Sequence, residues 1–167
     1  MRNIIYIVNG ANLSRLDLRE PIYGGVDIEK IEFTIKERYN FNINFYKSID
    51  SDFKKKFDEY KTLEIKFLST NHEGEILDKI YSNIDEIFAI LINPGGFTHY
   101  SYSLLDLYYT LKNNKILVIE VHLTNPLSRG RENLLTSRGC DFLLVGGGID
   151  SYIFGFDFIF KKYYFNY

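Results

Sequence analysis

Five short apolar runs punctuate the chain, at residues 4–8, 63–68, 87–92, 116–121 and 142–145. Most are continuous rather than alternating, as in strands buried on both faces of a parallel sheet. Between them apolar residues recur at helical spacing. Ile28, Ile31 and Ile35 share a face within 27–39; Ile76, Leu77 and Ile80 do so within 73–81; Leu104, Leu105, Tyr108 and Leu111 do so within 101–111. A closing helix is predicted over 151–162, where Gly155 is the weak point. Strand and helix alternate, which predicts right-handed βαβ units in a doubly wound α/β sheet. One stretch fits less simply. Phe41, Ile43 and Phe45 alternate with polar residues as in a half-buried strand, and a lysine-rich run at 52–61 follows. Either 40–62 is an inserted surface segment, or the first helix is extended and 41–46 is the second strand. The insertion is preferred, because 63–68 leads directly into a polar loop of the kind that follows the other strands.

Composition narrows this picture. A chain of 167 residues, 46% of them apolar, fits one domain with a full core. Its net charge of −2 draws in neither nucleic acid nor anionic lipid, so an anionic ligand must be met by locally placed Arg or Lys. The apolar run near the N-terminus is too short to span a membrane and lacks a signal-peptide cleavage pattern, which favours the cytoplasm. Cys140 is the only cysteine, so no intrachain disulfide exists, and it reads as a small apolar filler. Tyrosine and phenylalanine, 14 each, read as substitutes for other apolar residues.

Ligands of an open parallel sheet bind beyond the carboxyl ends of its strands. The polar tips are therefore the candidate site. After the first strand come Asn9-Gly10-Ala11-Asn12-Leu13 and a loop with Arg19 and Tyr23; after the second, Asn71-His72-Glu73-Gly74-Glu75; after the third, Asn93-Pro94-Gly95-Gly96-Phe97-Thr98-His99. The fourth runs into Glu120-Val121-His122-Leu123-Thr124, and the fifth into Gly146-Gly147-Gly148. All three histidines fall in these tips. His72 reads as a cap or surface residue, and His99 either as a ligand or as a partner of backbone carbonyls. Glu120 and His122, two apart on a strand, share a face. A carboxylate there orients the imidazole and supports its protonated form, which suits a general acid. Gly95 and Gly96 ahead of a helix could offer backbone N–H groups to an anion. The triple glycine lacks the endings of nucleotide-binding loops and reads as a turn. Histidine and cysteine spacing offers no metal site, and no serine nucleophile elbow is present. Tyr23 could serve as a base if guanidinium groups such as Arg19 favour its phenolate; by itself the loop reads as an ordinary surface loop with an anchoring tyrosine.

Taken together, these tips resemble the type II 3-dehydroquinate dehydratases. The stretches that carry the resemblance are 9–13, Arg19-Glu20-Pro21 with Tyr23-Gly24, 69–75, 93–99 with Ser101 and Asp106, 120–125, and the glycine turn with Tyr152. The resemblance implies a flavodoxin-like fold, with a five-stranded parallel sheet and helices on both faces. It implies a cofactor-free and metal-free anti elimination of water from 3-dehydroquinate, giving 3-dehydroshikimate. By motif, Tyr23 would remove the C2 proton, Arg19 would activate it, and an enolate would form near Asn12. His122, oriented by Glu120, would protonate the departing hydroxyl. Asn93, Gly95, Gly96, His99, Leu123, Thr124, Arg129 and Arg131 would hold the substrate. Asp106 would reach a neighbouring subunit's site in a homododecamer built from trimers. Three departures stand out: one residue fewer between Pro21 and Tyr23, Asn133 where a second arginine is expected with Arg131 close by, and roughly twenty extra residues within 40–62. They keep open a second reading, a catalytically impaired relative that binds a small polyol carboxylate or a protein partner. A third, a flavodoxin-like binder of flavin or another phosphorylated ligand, rests on the fold and the glycines alone.

Overall fold

The apolar runs form β1 (Ile4–Ala11), β2 (Glu64–Ser69), β3 (Ile87–Gly95), β4 (Leu117–His122) and β5 (Phe142–Val145). In this computed structural model, which describes residues 2–16, 26–59 and 62–165 (Lys56 and Asp58 by backbone alone), they pair in parallel in the order β2-β1-β3-β4-β5. The helices are α1 (Ile28–Ile49), α2 (Ser51–Glu59), α3 (Glu73–Tyr81), α4 (Tyr102–Asn113) and α5 (Asp150–Phe165).

The continuous apolar runs follow from burial on both sides. Ile5 and Ile7 of β1 face α1 and α5, with Leu91, Ile119, Ile35 and Phe156 in the same cluster. Ile4, Tyr6 and Val8 face α3 and α4, with Ile90, Ile92, Ile76 and Leu104. Each side chain so buried contributes about 1.5–3 kcal/mol relative to exposure. The expected helices begin where their caps place them. Asp27 accepts the Lys30 N–H at 2.6 Å at the start of α1, and Ser101 Oγ accepts the Leu104 N–H at 2.9 Å at the start of α4. Gly155 does not break α5. A side chain there would stand 2.5 Å from Leu91 Cδ1, so glycine lets this helix lie close on the sheet.

The segment from Asn40 to Thr62 matches neither sequence reading in full, although β2 lies where the preferred one put it. The alternation at Phe41, Ile43 and Phe45 does not make a strand: α1 continues through it to Ile49, and β2 is the later run. The segment is not confined to the surface either, because Phe53 of α2 is 1% exposed. The core-facing stripe of α1 runs Ile31, Ile35, Tyr39, Asn42, Tyr46 at helical spacing, the two tyrosines partly buried, and Asn42 conceals it in the sequence. Asn42 is buried because its Nδ2 donates to Asp157 of α5 at 2.8 Å, where Arg38 forms a two-pronged ion pair with the same carboxylate. The richness in aromatic residues concentrates here. Tyr46, Phe53, Phe57, Phe160, Tyr164 and Phe165 pack ring against ring between α1, α2 and α5. No described helix is long and apolar enough to cross a membrane.

Candidate active site

The sheet order reverses direction between β1 and β3, and the register aligns their polar ends: Asn9 lies beside Asn93, and Ala11 beside Gly95. Ligands of such sheets bind at this switch point. A cavity of about 210 Å³ opens there, lined at the end of β1 and just beyond it by Ala11, Asn12 and Leu13, at the end of β3 and just beyond it by Asn93, Gly95 and Gly96, and at the end of β4 and just beyond it by His122, Leu123 and Thr124. Thr98, His99, Pro126, Arg129 and Arg131 complete the wall. Drug-sized ligand sites run to about 300–1,000 Å³, so this one suits a small polar molecule. Gly95 is required by geometry: its φ is +61°, and a side chain would stand 2.2 Å from Ala11 O. Asn12, at φ +67°, occupies the left-handed region that asparagine tolerates, and its N–H donates to Asn71 Oδ1 at 2.8 Å.

Glu120 and His122 lie on one face of β4. The Glu120 carboxylate is wholly buried and is surrounded by donors. Oε1 accepts from His122 Nε2 at 2.8 Å, from Thr98 Oγ1 at 3.0 Å and from the Ser137 hydroxyl; Oε2 accepts from Thr136 Oγ1 at 2.7 Å. Burial alone would raise this carboxyl's pKa. The hydrogen bond and charge of His122, with the hydroxyls of Ser137 and Thr136, outweigh burial and hold it below the usual carboxylate range. Neighbouring groups feel the opposite push. Burial first, and the Glu120 charge second, raise the Tyr108 phenol well above its ordinary value and the Cys140 thiol to about 11. Cys140 therefore stays a protonated filler against the α3/α4 core.

This arrangement fixes a pH dependence. Glu120 titrates lower in the folded chain than in the unfolded one, so its ionisation stabilises the fold. That contribution is complete above the unfolded carboxylate value, about 4.3, and is lost as pH falls through the lower folded value. Glu120→Gln will therefore show a shallower loss of stability than the parent on acidification below about pH 5. Denaturant titrations of both proteins across that range check this, and equal slopes would contradict it.

Other expected residues separate into groups. Asn93 Oδ1 accepts the Gly95 N–H at 3.1 Å, which leaves its amide hydrogens for other partners. Thr124 Oγ1 is buried with no hydrogen-bond partner among the described residues. His99 Nδ1 lies 2.6 Å from Asn133 O. Arg129 and Arg131 supply the positive charge that the chain's overall balance lacks. Gly146 and Gly148 form a turn, as expected, and their N–H groups hold the tip of β4 through His122 O and Leu123 O. His72 is exposed at the N-cap of α3 and does not line the cavity. Asp106 is exposed on α4 and does not line the cavity. Arg19 and Tyr23 fall within residues 17–25, outside the described residues; Leu16 and Val26, on either side, are buried in the α1/α5 core. Sequence reasoning missed Thr136 and Ser137. Nothing in the local pattern marks two hydroxyls ahead of β5, and only the pairing of β5 with β4 reveals them.

Residues 3–160 match the family described as dehydroquinase class II. A 3-dehydroquinate dehydratase of Carboxydothermus hydrogenoformans is 37% identical over 154 residues, covering 90% of this chain and 86% of that protein. One from Clostridium botulinum is 33% identical, covering 94% of each. The crystal structure of a type II dehydroquinase from Butyrivibrio crossotus superposes with a TM-score of 0.74 at 31% identity, covering 95% of this chain and 97% of that one.

Proposed function

Because the chain belongs to the dehydroquinase class II family, we propose that it is a hydro-lyase that removes water from 3-dehydroquinate by cofactor-free anti elimination, giving 3-dehydroshikimate. The observation that carries this reading is the buried Glu120–His122 pair opening onto a small polar cavity at the switch point.

The chemistry follows from what such a substrate needs. A proton beside a ketone is acidic enough for a phenolate base, and the expelled hydroxyl needs an acid. Tyr23 takes the C2 proton, with Arg19 favouring its phenolate. The electron pair moves into an enolate, which the polar groups around Asn12 stabilise. The enolate collapses, the hydroxyl on the adjacent carbon departs, and His122 protonates it to water. Glu120, acting through His122, is the positioning group: it engages Nε2–H and so leaves Nδ1 as the nitrogen available to the leaving hydroxyl. An ionised carboxylate also balances the imidazolium that serves as acid. Asn93, His99, Thr124 and the backbone of Leu123, Gly95 and Gly96 hold hydroxyls and carboxylate, with Arg129 and Arg131 at the rim. Asp106, exposed on α4, serves the site of a neighbouring subunit in a homododecamer built from trimers. The helical segment within 40–62 is an insertion on this plan, and the enzyme works in the cytoplasm.

Purified protein mixed with 3-dehydroquinate is expected to develop the absorbance of the conjugated enone. No turnover at any pH from neutral to mildly alkaline would sink the proposal. Asn133, standing where a second arginine is expected, motivates one other reading, a catalytically impaired relative that binds a small polyol carboxylate. Calorimetry separates the two, since heat of binding without product supports only the second.

A further inference from the structure

Two short segments meet on one wall of the cavity. One is the turn Gly96–His99; the other is the loop between Arg129 and Leu135. They are joined by a reciprocal pair of hydrogen bonds. Asn133 Nδ2 donates to His99 O at 2.6 Å, and His99 Nδ1 lies 2.6 Å from Asn133 O. A backbone carbonyl can only accept, so Nδ1 must carry the hydrogen. A neutral imidazole has one N–H, and it is used here. Nε2 then presents a lone pair, and His99 lines the cavity.

We propose that Asn133 is a positioning residue that fixes His99 as its Nδ1–H tautomer, making Nε2 a hydrogen-bond acceptor for a hydroxyl of the bound ligand. The function is selection: this wall accepts a hydrogen bond from a ligand hydroxyl, while Arg131 and Arg129 on the same loop meet negative charge. One wall thus recognises both halves of a polyol carboxylate. Neither bond alone would do so. The Asn133 amide holds its own carbonyl against the ring, beside the Thr136–Thr98 hydrogen bond that also ties the two segments, and without the carbonyl the ring has no preferred tautomer. The inference deepens the dehydratase reading and rests on it for the identity of the ligand, but the tautomer is a property of the protein alone.

The test uses the full chain with ¹⁵N-labelled histidine, the His99 signals being assigned by their loss in His99→Gln. At a pH where the ring is neutral, the expected spectrum is that of the Nδ1–H tautomer. In Asn133→Ala the signals shift toward a mixture of tautomers. KM for 3-dehydroquinate rises roughly three- to tenfold, the worth of one neutral hydrogen bond, with kcat within about twofold. Asn133→Gln, which keeps an amide donor, recovers part of both effects. An Nε2–H tautomer in the parent protein overturns the proposal. So does an Asn133→Ala variant with an unchanged spectrum and KM. If the protein proves not to turn over, the spectra still decide, so failure of the dehydratase reading and failure of this one are separable.

Discussion

Replacing His122 by alanine will lower kcat for 3-dehydroquinate by roughly 10²–10⁴-fold, the usual contribution of a positioned general acid. That corresponds to about 3–5 kcal/mol of barrier. The variant should still fold, because Glu120 keeps the hydroxyls of Thr98, Thr136 and Ser137 as donors. On the proposed mechanism His122 acts after the enolate forms, so the variant should continue to exchange the C2 proton of the substrate with solvent deuterium. Proton magnetic resonance of 3-dehydroquinate in D₂O reads this directly. Loss of exchange along with turnover would show that His122 is needed before the hydroxyl leaves, and would remove it from the assigned step.

Tyr23→Phe will cut turnover by a comparable factor, roughly 10²–10⁴-fold, for the opposite reason. The ring remains and the phenolic oxygen, the base of the proposed mechanism, is lost. Exchange with deuterium should stop together with elimination, while KM stays within a few-fold of the parent, because the groups that line the cavity are untouched. The two variants therefore divide the reaction: one blocks both steps, the other blocks only the second. A Tyr23→Phe protein that still exchanges would mean that another group is the base, and the shortened spacing from Pro21 to Tyr23 would be the first place to look for the cause.

Particular residues show why some of this was legible before the fold was known. The five strands were visible because a strand buried on both faces writes its burial into consecutive positions, as in Ile4, Ile5, Tyr6, Ile7 and Val8. The starts of the first and fourth helices were visible because their apolar spacing begins beside Asp27 and Ser101, and the structure shows both residues capping by accepting an N–H three residues on. The extension of α1 was not. Its core-facing stripe passes through Asn42, which is polar by sequence and buried only because Asp157, 115 residues away, accepts its hydrogen bond. The accidental alternation of Phe41, Ile43 and Phe45 then imitated a strand.

The site divides along the same line. The sequence by itself determined which polar residues stand at the ends of strands, and that Glu120 and His122 share a face, because side-chain direction alternates along a strand whatever surrounds it. Only the tertiary structure decided that Glu120 stays ionised while fully buried. Its donors, Thr98, Thr136 and Ser137, lie 22, 16 and 17 residues away, on segments beside β3 and ahead of β5. Only the order β3-β4-β5 brings them around one carboxylate. Likewise, only the meeting of two loops gives His99 its partner in Asn133. Hydrogen bonds of this kind are short-ranged in space and unconstrained in sequence, so the chain carries the groups and the fold makes the pairs.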